Sequence, residues 1–299
     1  MTKGLTMRIA PTNSSLGATI EDIDLNIPVS PGDFRTILRA LGQFGVLCFP
    51  KQDLTPDTHA AFGALFGEPE LNVAAAAYHE PGHPEMMILS NMKRDGKPLG
   101  LHDAGQDWHT DLSYSNDISI ANILHARHVP MRHGKPLGET QFRNMHLAYE
   151  ELPDALKTRL DGRTATHDFN KYWELALLRP GTTRKPLTAE QRAKKPPVRQ
   201  PIFRTHPITG KKVLYANPGY TMWIDGMDRQ ESDGILDFLF RHQTKADYFH
   251  AHRWAVGDVL MWDNIGTVHN AVADYEMDEP RYMRRMQIMA TLDYAALAA

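Results

Sequence analysis

Residues 106–115 read Gln-Asp-Trp-His-Thr-Asp-Leu-Ser-Tyr-Ser, and this stretch contains the clearest chemical motif of the chain. In an extended backbone successive side chains point to opposite faces, so His109 and Asp111 project to one side while Thr110 turns away. One imidazole and one carboxylate then converge, but a divalent metal held by this pair alone would be bound weakly. The motif therefore requires a third ligand from elsewhere in the chain, and His269 is the natural candidate.

A His-X-Asp motif with a distant histidine is typical of the 2-His-1-carboxylate facial triad, which binds one face of an octahedral Fe(II) ion. The triad leaves three coordination positions open, so it indicates a catalytic metal site rather than a structural one. The spacing alone is short enough to arise by chance in a chain with 15 histidines. Other histidines have no carboxylate in a comparable context, and we interpret them as surface or structural residues: His125, His128, His133 and His146.

A second cluster surrounds His269. It runs Gly-Asp-Val-Leu-Met-Trp-Asp-Asn-Ile-Gly-Thr-Val-His-Asn-Ala-Val-Ala-Asp-Tyr over residues 257–275 and continues as Arg-Tyr-Met-Arg-Arg over residues 281–285. Together with the Trp-His-Thr-Asp motif of residues 108–111, it resembles the taurine dioxygenase and 2,4-dichlorophenoxyacetate dioxygenase (TauD/TfdA) family of Fe(II)/2-oxoglutarate enzymes. The resemblance extends from about Met7 to Ala290, with landmarks at residues 46–50, 66–68, 138–140, 166–168 and 204–207.

Short β-rich runs and a few amphipathic helices determine the expected architecture. Residues 202–204 and 212–215 flank a turn and predict a β-hairpin. Capping residues and prolines predict helices that begin at residues 30–31, 55–56, 144 and 153–154, and a last helix over residues 231–244. We therefore expect a mainly β protein with peripheral helices, arranged as a double-stranded β-helix or jelly roll, which is also the fold that the resemblance implies.

Residues 1–299 are expected to form a single Fe(II)/2-oxoglutarate dioxygenase domain, because no internal repeat, low-complexity tail or interdomain linker interrupts the chain. Residues 170–200 differ in character from the rest. Between Arg179 and Arg199 there are seven basic residues and four prolines beside Glu190, without sustained periodicity. This composition fits either a mobile lid over the site or a solvated surface insertion.

The resemblance implies that His109, Asp111 and His269 bind Fe(II), that 2-oxoglutarate takes two open positions and that O2 takes the last. The far carboxylate of 2-oxoglutarate then needs a partner, and arginine suits it best because its planar fork donates two parallel hydrogen bonds. Arg281, twelve residues after His269, matches the co-substrate arginine of the family. Thr140 matches the family's hydroxyl residue for the co-substrate.

Arg281 and Arg285 are four residues apart, so on one strand they share a face, whereas Arg284 points the other way. Two inward arginines are costly unless each meets an anion, and a basic surface strand suits Arg284 better. The family has a substrate-anion arginine at the position of Arg285. We therefore expect Arg285 to bind the acid group of the primary substrate.

The substrate pocket is expected to be partly apolar and aromatic. Asn72 and Ala75 stand where taurine-using members of the family have polar pocket residues, which argues against taurine itself. Large apolar and aromatic residues complete the expected pocket: Trp108, Leu112, Phe169 and Tyr220. We expect a small anionic organic substrate with an apolar body, such as a sulfonate, a sulfate ester, a phosphonate, an aryloxyalkanoate or another carboxylate.

Two other functions fit the same ligand set. A zinc hydrolase can use two histidines and an aspartate, but it needs a positioned general base and leaves the inward arginines without a role. A non-catalytic, metal-dependent jelly roll would bind small acids without consuming oxygen. A halogenating enzyme needs an open position where the carboxylate stands, and Asp111 argues against that activity.

The overall composition and charge limit the kinds of binding partner that we expect. A net charge of −3 and a pI near 6.6 provide no overall attraction to nucleic acid or to an anionic membrane. Residues 1–8 lack the apolar core of a signal peptide, and no segment approaches the ~20 apolar residues that span a bilayer. Cys48 is the only cysteine and cannot form an internal disulfide. We expect a soluble cytoplasmic enzyme, a homodimer or homotetramer, that acts on a small molecule.

Overall fold

A computed structural model describes residues 7–71, 77–179, 182 and 184–299. Short strands predominate among these residues. Numbered in chain order, they are β1 (Arg8–Pro11), β2 (Ala18–Glu21), β3 (Val46–Phe49), β4 (His79–Glu80), β5 (His83–Ser90), β6 (Lys93–Arg94), β7 (Lys97–Pro98), β8 (Ser119–His128), β9 (Met131–Arg132), β10 (Lys135–Pro136), β11 (Thr140–Asn144), β12 (Thr164–His167), β13 (Val198–Pro201), β14 (Phe203–Thr205), β15 (Lys212–Leu214), β16 (Thr221–Ile224), β17 (Phe249–His252), β18 (Val259–Asp263), β19 (Thr267–Ala271) and β20 (Tyr282–Met289).

Helices occupy a smaller part of the chain. Those within the described residues are α1 (Pro31–Phe44), α2 (Pro56–Ala64), α3 (Met145–Glu150), α4 (Asp154–Leu160), α5 (Phe169–Leu177), α6 (Ala189–Ala193), α7 (Arg229–His242) and α8 (Tyr294–Ala298). None of these helices has the length and apolar character needed to cross a membrane.

The helix starts expected from capping residues are confirmed. Ser30, Thr55 and Asn144 each accept a hydrogen bond from a backbone N–H group in the first turn of the helix that follows. Helix α7 begins two residues earlier than expected, because Asp228 caps it by the same type of contact. These starts could be predicted because a cap depends on residues that are adjacent in sequence.

The largest sheet has eight strands in the order β1-β2-β3-β18-β8-β20-β5-β4. Neighbouring strands are antiparallel except β2 and β3, which are parallel. Residues 119–126 of β8, in the middle of the sheet, are all buried. Helices α1 and α2 cover one face, where Ile37 and Phe62 pack in the same core cluster as Ile123 and Met286.

A second sheet, in the order β17-β11-β19, packs against the opposite face of the large sheet. Phe142 of β11 contacts Trp262 of β18, with ring centroids 5.6 Å apart. In the pairing of β11 with β19, Phe142 lies opposite His269 and Thr140 lies opposite Ala271. This register places two of the expected site residues between the sheets.

The remaining strands form smaller sheets. Three of them pair as β13-β12-β16, and hairpins form from β6 with β7, β9 with β10, and β14 with β15. The hairpin of β14 and β15 is the one expected from the turn at residues 207–210. Paired sheets with helices on the outside confirm a mainly β protein with peripheral helices.

The segment of residues 170–200 contains two helices that the sequence analysis did not predict. Helix α5 is capped by Asp168, and Thr188 forms a capping box with Gln191 at the start of α6. Helix α5 has apolar residues at helical spacing, at positions 169, 172, 173, 176 and 177, which the sequence analysis overlooked. Helix α6 buries no residue and has no such pattern. Residues 180, 181 and 183 of this segment lie outside the described residues.

The opposite directions of Arg284 and Arg285 are confirmed, because Arg284 pairs with His125 and Arg285 with Leu124 on β8. The expectation that Arg284 lies on a basic surface is wrong. Its side chain is 14% exposed and donates hydrogen bonds to the Glu80 carboxylate and to the Leu54 carbonyl. This face of the strand is covered by α2 and its neighbouring loops, which the strand pattern alone does not reveal.

Two buried histidines lead to a prediction about stability. Burial lowers the pKa of His59 and of His167 from 6.5 to about 3. Below pH 6.5 the unfolded chain binds protons at these sites that the folded chain does not, so stability falls as the pH decreases from 6.5 toward 3. We expect a loss of about 2 kcal/mol per histidine between pH 7 and pH 5, measured by urea unfolding. Equal unfolding free energies at the two pH values would contradict the burial of neutral imidazoles.

Candidate metal centre

His109, Asp111 and His269 come together between the two sheets. Nε2 of His109 lies 3.5 Å from Oδ1 of Asp111, and Nε2 of His269 lies 3.6 Å from Oδ2 of the same carboxylate. The two imidazole centroids are 4.2 Å apart, and the three side chains are at most 13% exposed. Three potential ligand atoms thus lie within 4.8 Å of one another, an arrangement that suits one divalent cation.

The backbone around His109 and Asp111 is not the continuous extended strand that the sequence analysis assumed. His109 forms an isolated β-bridge with His269, through backbone hydrogen bonds of 3.0 and 2.9 Å. A turn over residues 111–114 follows immediately, in which Leu112 has a φ of +56°. The extended strand expected through His109 and Asp111 is therefore wrong. A bridge followed by a turn directs both side chains to the cluster instead.

Hydrogen bonds behind the cluster orient its members. Nδ1 of His109 lies 2.7 Å from the carbonyl oxygen of Asp107. A carbonyl can only accept, so Nδ1 has the proton and the Nε2 lone pair faces the cluster. Asn264 accepts from the backbone N–H of Asp111 at 3.2 Å and donates to its carbonyl at 2.8 Å. Both sides of the turn are thereby held in place.

The charges of the cluster match what a metal requires. Burial alone would raise the pKa of the Asp111 carboxyl, but Arg285 and the two histidines hold that pKa well below its usual range. Burial lowers the pKa of His269 well below its usual value, and His109 lowers it further. At neutral pH the carboxylate is therefore ionised and the His269 imidazole is neutral, and these are the protonation states of metal ligands.

An open cleft lies beside the cluster and is also lined by Thr140 and Arg281. Arg281 is 7% exposed and donates from Nη1 to the Tyr275 hydroxyl at 3.1 Å. Within the described residues its guanidinium has no carboxylate partner, and its Nε has no hydrogen-bond partner. Oγ1 of Thr140 accepts a hydrogen bond from Trp254, so the hydroxyl hydrogen is free to donate. The Arg281 guanidinium carbon also lies 5.4 Å from the centroid of the Tyr275 ring, but the cation has no negatively charged partner among the described residues and so favours an anion from outside the chain.

Arg285 lines the same cleft, as its shared face with Arg281 predicts. The structure adds a contact that the sequence did not reveal, because Nη2 of Arg285 lies 3.0 Å from Oδ2 of Asp111. Nε of Arg285 donates to Oδ1 of Asn122 at 3.3 Å. One of the two inward arginines is thus partly neutralised by the Asp111 carboxylate, whereas Arg281 is not.

The other expected pocket residues do not line this cleft. Leu112 and Tyr220 are buried, and the Tyr220 ring lies 6.1 Å from the His109 ring. A Cβ on Gly219 would approach the Cβ of His109 to 2.6 Å, so glycine is needed for this close approach. Tyr220 therefore lies against the cluster of His109, Asp111 and His269, outside the cleft that Arg281 lines.

Two further aromatic residues also lie away from the cleft. Phe169 packs on Tyr114 at 4.9 Å between centroids, and Trp108 lies 4.5 Å from the guanidinium carbon of Arg143. Asn72 and Ala75 lie outside the described residues.

A second group of potential metal ligands, His146, His206 and Asp263, has another explanation. Nε2 of His206 lies 2.9 Å from Oδ2 of Asp263, and both side chains are buried. Nδ1 of His206 accepts hydrogen bonds from the backbone N–H groups of Ile208 and Thr209, so the proton is on Nε2. That nitrogen faces the Asp263 carboxylate as an ion-pair contact and, being protonated, has no lone pair for a metal. The pair joins the β14–β15 hairpin to β18.

The sequence analysis missed several residues that support the cluster. Asn264 stands next to Asp263 in the quoted second cluster, but nothing in the spacing showed that it would bind the Asp111 backbone. Asp107 precedes the first motif, and Arg179 was included only as one of many basic residues. Tyr275 ends the second cluster and contacts Arg281 only through the fold.

A cluster of two histidines and one carboxylate, beside a cleft with an unneutralised arginine, defines a class of metal-dependent enzymes that bind an acidic small molecule. Comparison with known proteins identifies the family within this class. The family described as "Taurine catabolism dioxygenase TauD, TfdA family" matches residues 8–287. The chain belongs to this family and is a 2-oxoglutarate-dependent dioxygenase. The predicted resemblance is confirmed, and the hydrolase and acid-binding alternatives are not supported.

The sequence matches to known relatives cover almost the whole chain. Pentalenolactone F synthase from Streptomyces avermitilis is 32% identical over 91% of this chain and 90% of its own. The alpha-ketoglutarate-dependent 2,4-dichlorophenoxyacetate dioxygenase from Cupriavidus pinatubonensis is 31% identical over 96% of this chain and 98% of its own.

Solved structures are also similar to this chain. A taurine dioxygenase from Burkholderia xenovorans is 30% identical, with a TM-score of 0.75 over 95% of this chain and 91% of its own. AAD-2, in complex with Mn(II) and N-oxalylglycine, is 27% identical, with a TM-score of 0.78 over 96% of this chain and 99% of its own.

Substitution of Asn264 by Ala tests whether this side chain holds the backbone of Asp111 in place. The change leaves the buried N–H and C=O groups of Asp111 without their partner, so we expect a loss of about 1–3 kcal/mol in the free energy of unfolding. Chemical denaturation of the apo-protein measures this loss. Asn26→Ala, at an exposed position, serves as the control and is expected to change stability little. Equal effects of the two substitutions would contradict the assigned role of Asn264.

Proposed function

We propose that the protein uses Fe(II), held by His109, Asp111 and His269, together with O2, to hydroxylate a small anionic organic molecule. In the same reaction 2-oxoglutarate is converted to succinate and CO2. The observation that best supports this proposal is the Arg281 guanidinium, which is buried beside the cluster without a carboxylate partner among the described residues. A dicarboxylate that reaches the metal with one end can pair with Arg281 at the other.

The co-substrate site combines Arg281 with Thr140. The guanidinium offers a planar fork to a carboxylate, and the Thr140 hydroxyl can donate a further hydrogen bond. Apolar side chains on the walls of the cleft reduce the access of water to these polar groups: Leu89, Leu101, Leu124 and Trp262. Low solvent access strengthens each charged contact inside the cleft.

The bound iron would supply oxidation of a C–H bond, with O2 as the oxidant and 2-oxoglutarate as the two-electron reductant. The protein groups prepare the site for this chemistry. The Asp107 carbonyl orients the His109 ring, and Asn264 holds the backbone of Asp111. Arg285 balances part of the charge of the Asp111 carboxylate.

The primary substrate is proposed to be a sulfonate, a sulfate ester, an aryloxyalkanoate or another carboxylate, whose acid group pairs with Arg285. Nη1 of Arg285 has no hydrogen-bond partner among the described residues, so it can donate to an incoming anion. The names of relatives support acids of this kind, such as 2,4-dichlorophenoxyacetate and (S)-phenoxypropionate. Asn72, Leu112 and Tyr220 are proposed to contact the rest of the substrate.

We infer that residues 1–299 form one domain in which the two main sheets build a double-stranded β-helix, and that the protein is a homodimer or homotetramer. We also infer that residues 170–200 cover the substrate site. Nζ of Lys195 lies 4.8 Å from the centroid of the Tyr114 ring and 4.9 Å from that of Phe169. Because Tyr114 in turn packs on Tyr220, this contact supports a cover on the aromatic side of the metal cluster.

The proposed reaction is tested by oxygen uptake and succinate formation with a panel of organic acids. Turnover is expected only when Fe(II) and 2-oxoglutarate are both present, and His269→Ala is expected to abolish it because one ligand is lost. The apo-protein of this variant should unfold near the wild-type temperature, since the ligands desolvate one another without a metal. Turnover supported by zinc without oxygen uptake would contradict the proposal.

Separate roles for the two inward arginines can be distinguished kinetically at saturating Fe(II). Arg281→Ala is expected to weaken 2-oxoglutarate binding by about 3–5 kcal/mol, because an unpaired carboxylate would be left in the cleft. Arg281→Lys should restore only part of this loss, since lysine cannot form the fork.

Arg285→Lys should raise the KM for the acid substrate and leave that for 2-oxoglutarate unchanged. The exposed Arg253→Lys is the control. Unchanged 2-oxoglutarate affinity in Arg281→Ala would show that the co-substrate carboxylate is bound elsewhere.

A further inference from the structure

The loop of residues 102–107 separates the cleft from the segment of residues 170–200. His102, Ala104 and Gly105 line the cleft, and the carbonyl of Gly105 accepts a hydrogen bond from the Ala271 N–H at 2.8 Å. The loop ends at Asp107, two residues before His109. Its position therefore determines both the shape of the cleft wall and the direction from which the chain enters the metal cluster.

Asp107 has an unusual backbone conformation. Its φ is +70°, in the left-handed region that residues other than glycine rarely adopt, although Asp and Asn tolerate it better than most. In this conformation its carbonyl oxygen lies 2.7 Å from Nδ1 of His109. A rotation of the Asp107 backbone would therefore remove the contact that orients the imidazole.

Arg179, which follows the end of α5, holds this loop with one side chain. Its Nε and Nη2 lie 3.1 and 2.7 Å from Oδ2 of Asp107. Nη2 also donates to the carbonyl of Gln106 at 2.8 Å, and Nη1 donates to the carbonyl of Asp103 at 3.2 Å. The Arg179 side chain is 14% exposed and that of Asp107 is 53% exposed, so the guanidinium is largely shielded from water while the carboxylate is partly open to it.

Helix α5 and the residues after it add further contacts to the same loop. The Tyr172 hydroxyl donates to the Gln106 carbonyl at 2.8 Å, and the Tyr172 ring lies 5.0 Å from the His109 ring. Arg184 binds Asp103 through two hydrogen bonds of 2.6 and 2.8 Å, and these side chains are 13% and 19% exposed. The loop is therefore attached to residues 172–184 at both of its ends.

We propose that Arg179 is a positioning residue for the metal centre: it holds Asp107 in its left-handed conformation, and the Asp107 carbonyl then holds His109 with Nε2 toward Asp111 and His269. The proposal rests on the proposed role of His109 as a metal ligand. It means that the segment of residues 170–200 acts on metal binding although Arg179 contacts none of the three ligands. Groups that orient metal-binding histidines typically change metal affinity by about 10- to 100-fold when they are lost.

Binding of Mn(II) alone, measured by calorimetry on the full-length protein, tests this inference without turnover. Arg179→Gln is expected to weaken Mn(II) binding about 10-fold. Asp107→Gly retains the carbonyl and permits a positive φ but removes the carboxylate, so it should weaken binding to a similar extent. The Mn(II) affinity of Arg179→Lys should lie between that of Arg179→Gln and that of the wild type. Arg192→Gln, on the exposed α6 of the same segment, is the matched control and should bind Mn(II) like the wild type.

Thermal unfolding of each apo-protein separates positioning from a loss of folding. A lower Mn(II) affinity in Arg179→Gln at an unchanged apo-protein Tm supports the proposal. The double variant Arg179→Gln/Asp107→Gly should bind Mn(II) no more weakly than either single variant, because both changes remove the same contact. Mn(II) affinity within twofold of the wild type in Arg179→Gln would overturn it. If Arg179→Gln does not fold, wild-type affinity in Asp107→Gly would overturn it equally. Absence of Mn(II) binding in the wild type would instead contradict the proposed metal centre itself.

Discussion

Two backbone hydrogen bonds between His109 and His269 are the constraint on which the site depends. A β-bridge determines both the separation of two residues and the side to which they face, and here it brings the imidazole centroids to 4.2 Å. Because β19 pairs with β11, the same register brings Thr140 opposite Ala271, beside the cleft. A shift of the bridge by one residue would turn one histidine away from Asp111. The two histidines of the cluster and Thr140 therefore depend on a single register.

The charges around the cleft explain why the two inward arginines differ. Asp111 lies 3.0 Å from Arg285, so the carboxylate and this guanidinium stabilise each other in an environment that excludes most water. Arg281 has no such partner among the described residues and contacts the neutral hydroxyl of Tyr275 instead. The cleft therefore has an excess positive charge at the Arg281 end, away from the cluster carboxylate. An acidic ligand is the simplest group that can neutralise it.

The basic segment of residues 179–199 forms ion pairs with acidic residues elsewhere in the chain. Two of its arginines bind Asp103 and Asp107, in the loop that precedes the Trp-His-Thr-Asp motif of residues 108–111. The Arg184–Asp103 pair is mostly enclosed by protein and is therefore screened less than a surface pair, whereas the Asp107 carboxylate is 53% exposed. The composition of this segment suggests a solvated insertion, but two of its arginines bind the loop that forms one wall of the candidate cleft.

The sequence by itself determined the residues of the cluster, the family, the helix caps and the opposite directions of Arg284 and Arg285. These features depend on residue type, on adjacent positions or on the alternation along one strand, all of which are visible in a linear pattern. Only the tertiary structure decided that Arg285 meets Asp111, that Asn264 holds its backbone and that Arg179 holds Asp107. These partners are 174, 153 and 72 residues apart, respectively. Their contacts depend on how the sheets stack and where the loops return, and no local pattern contains that information.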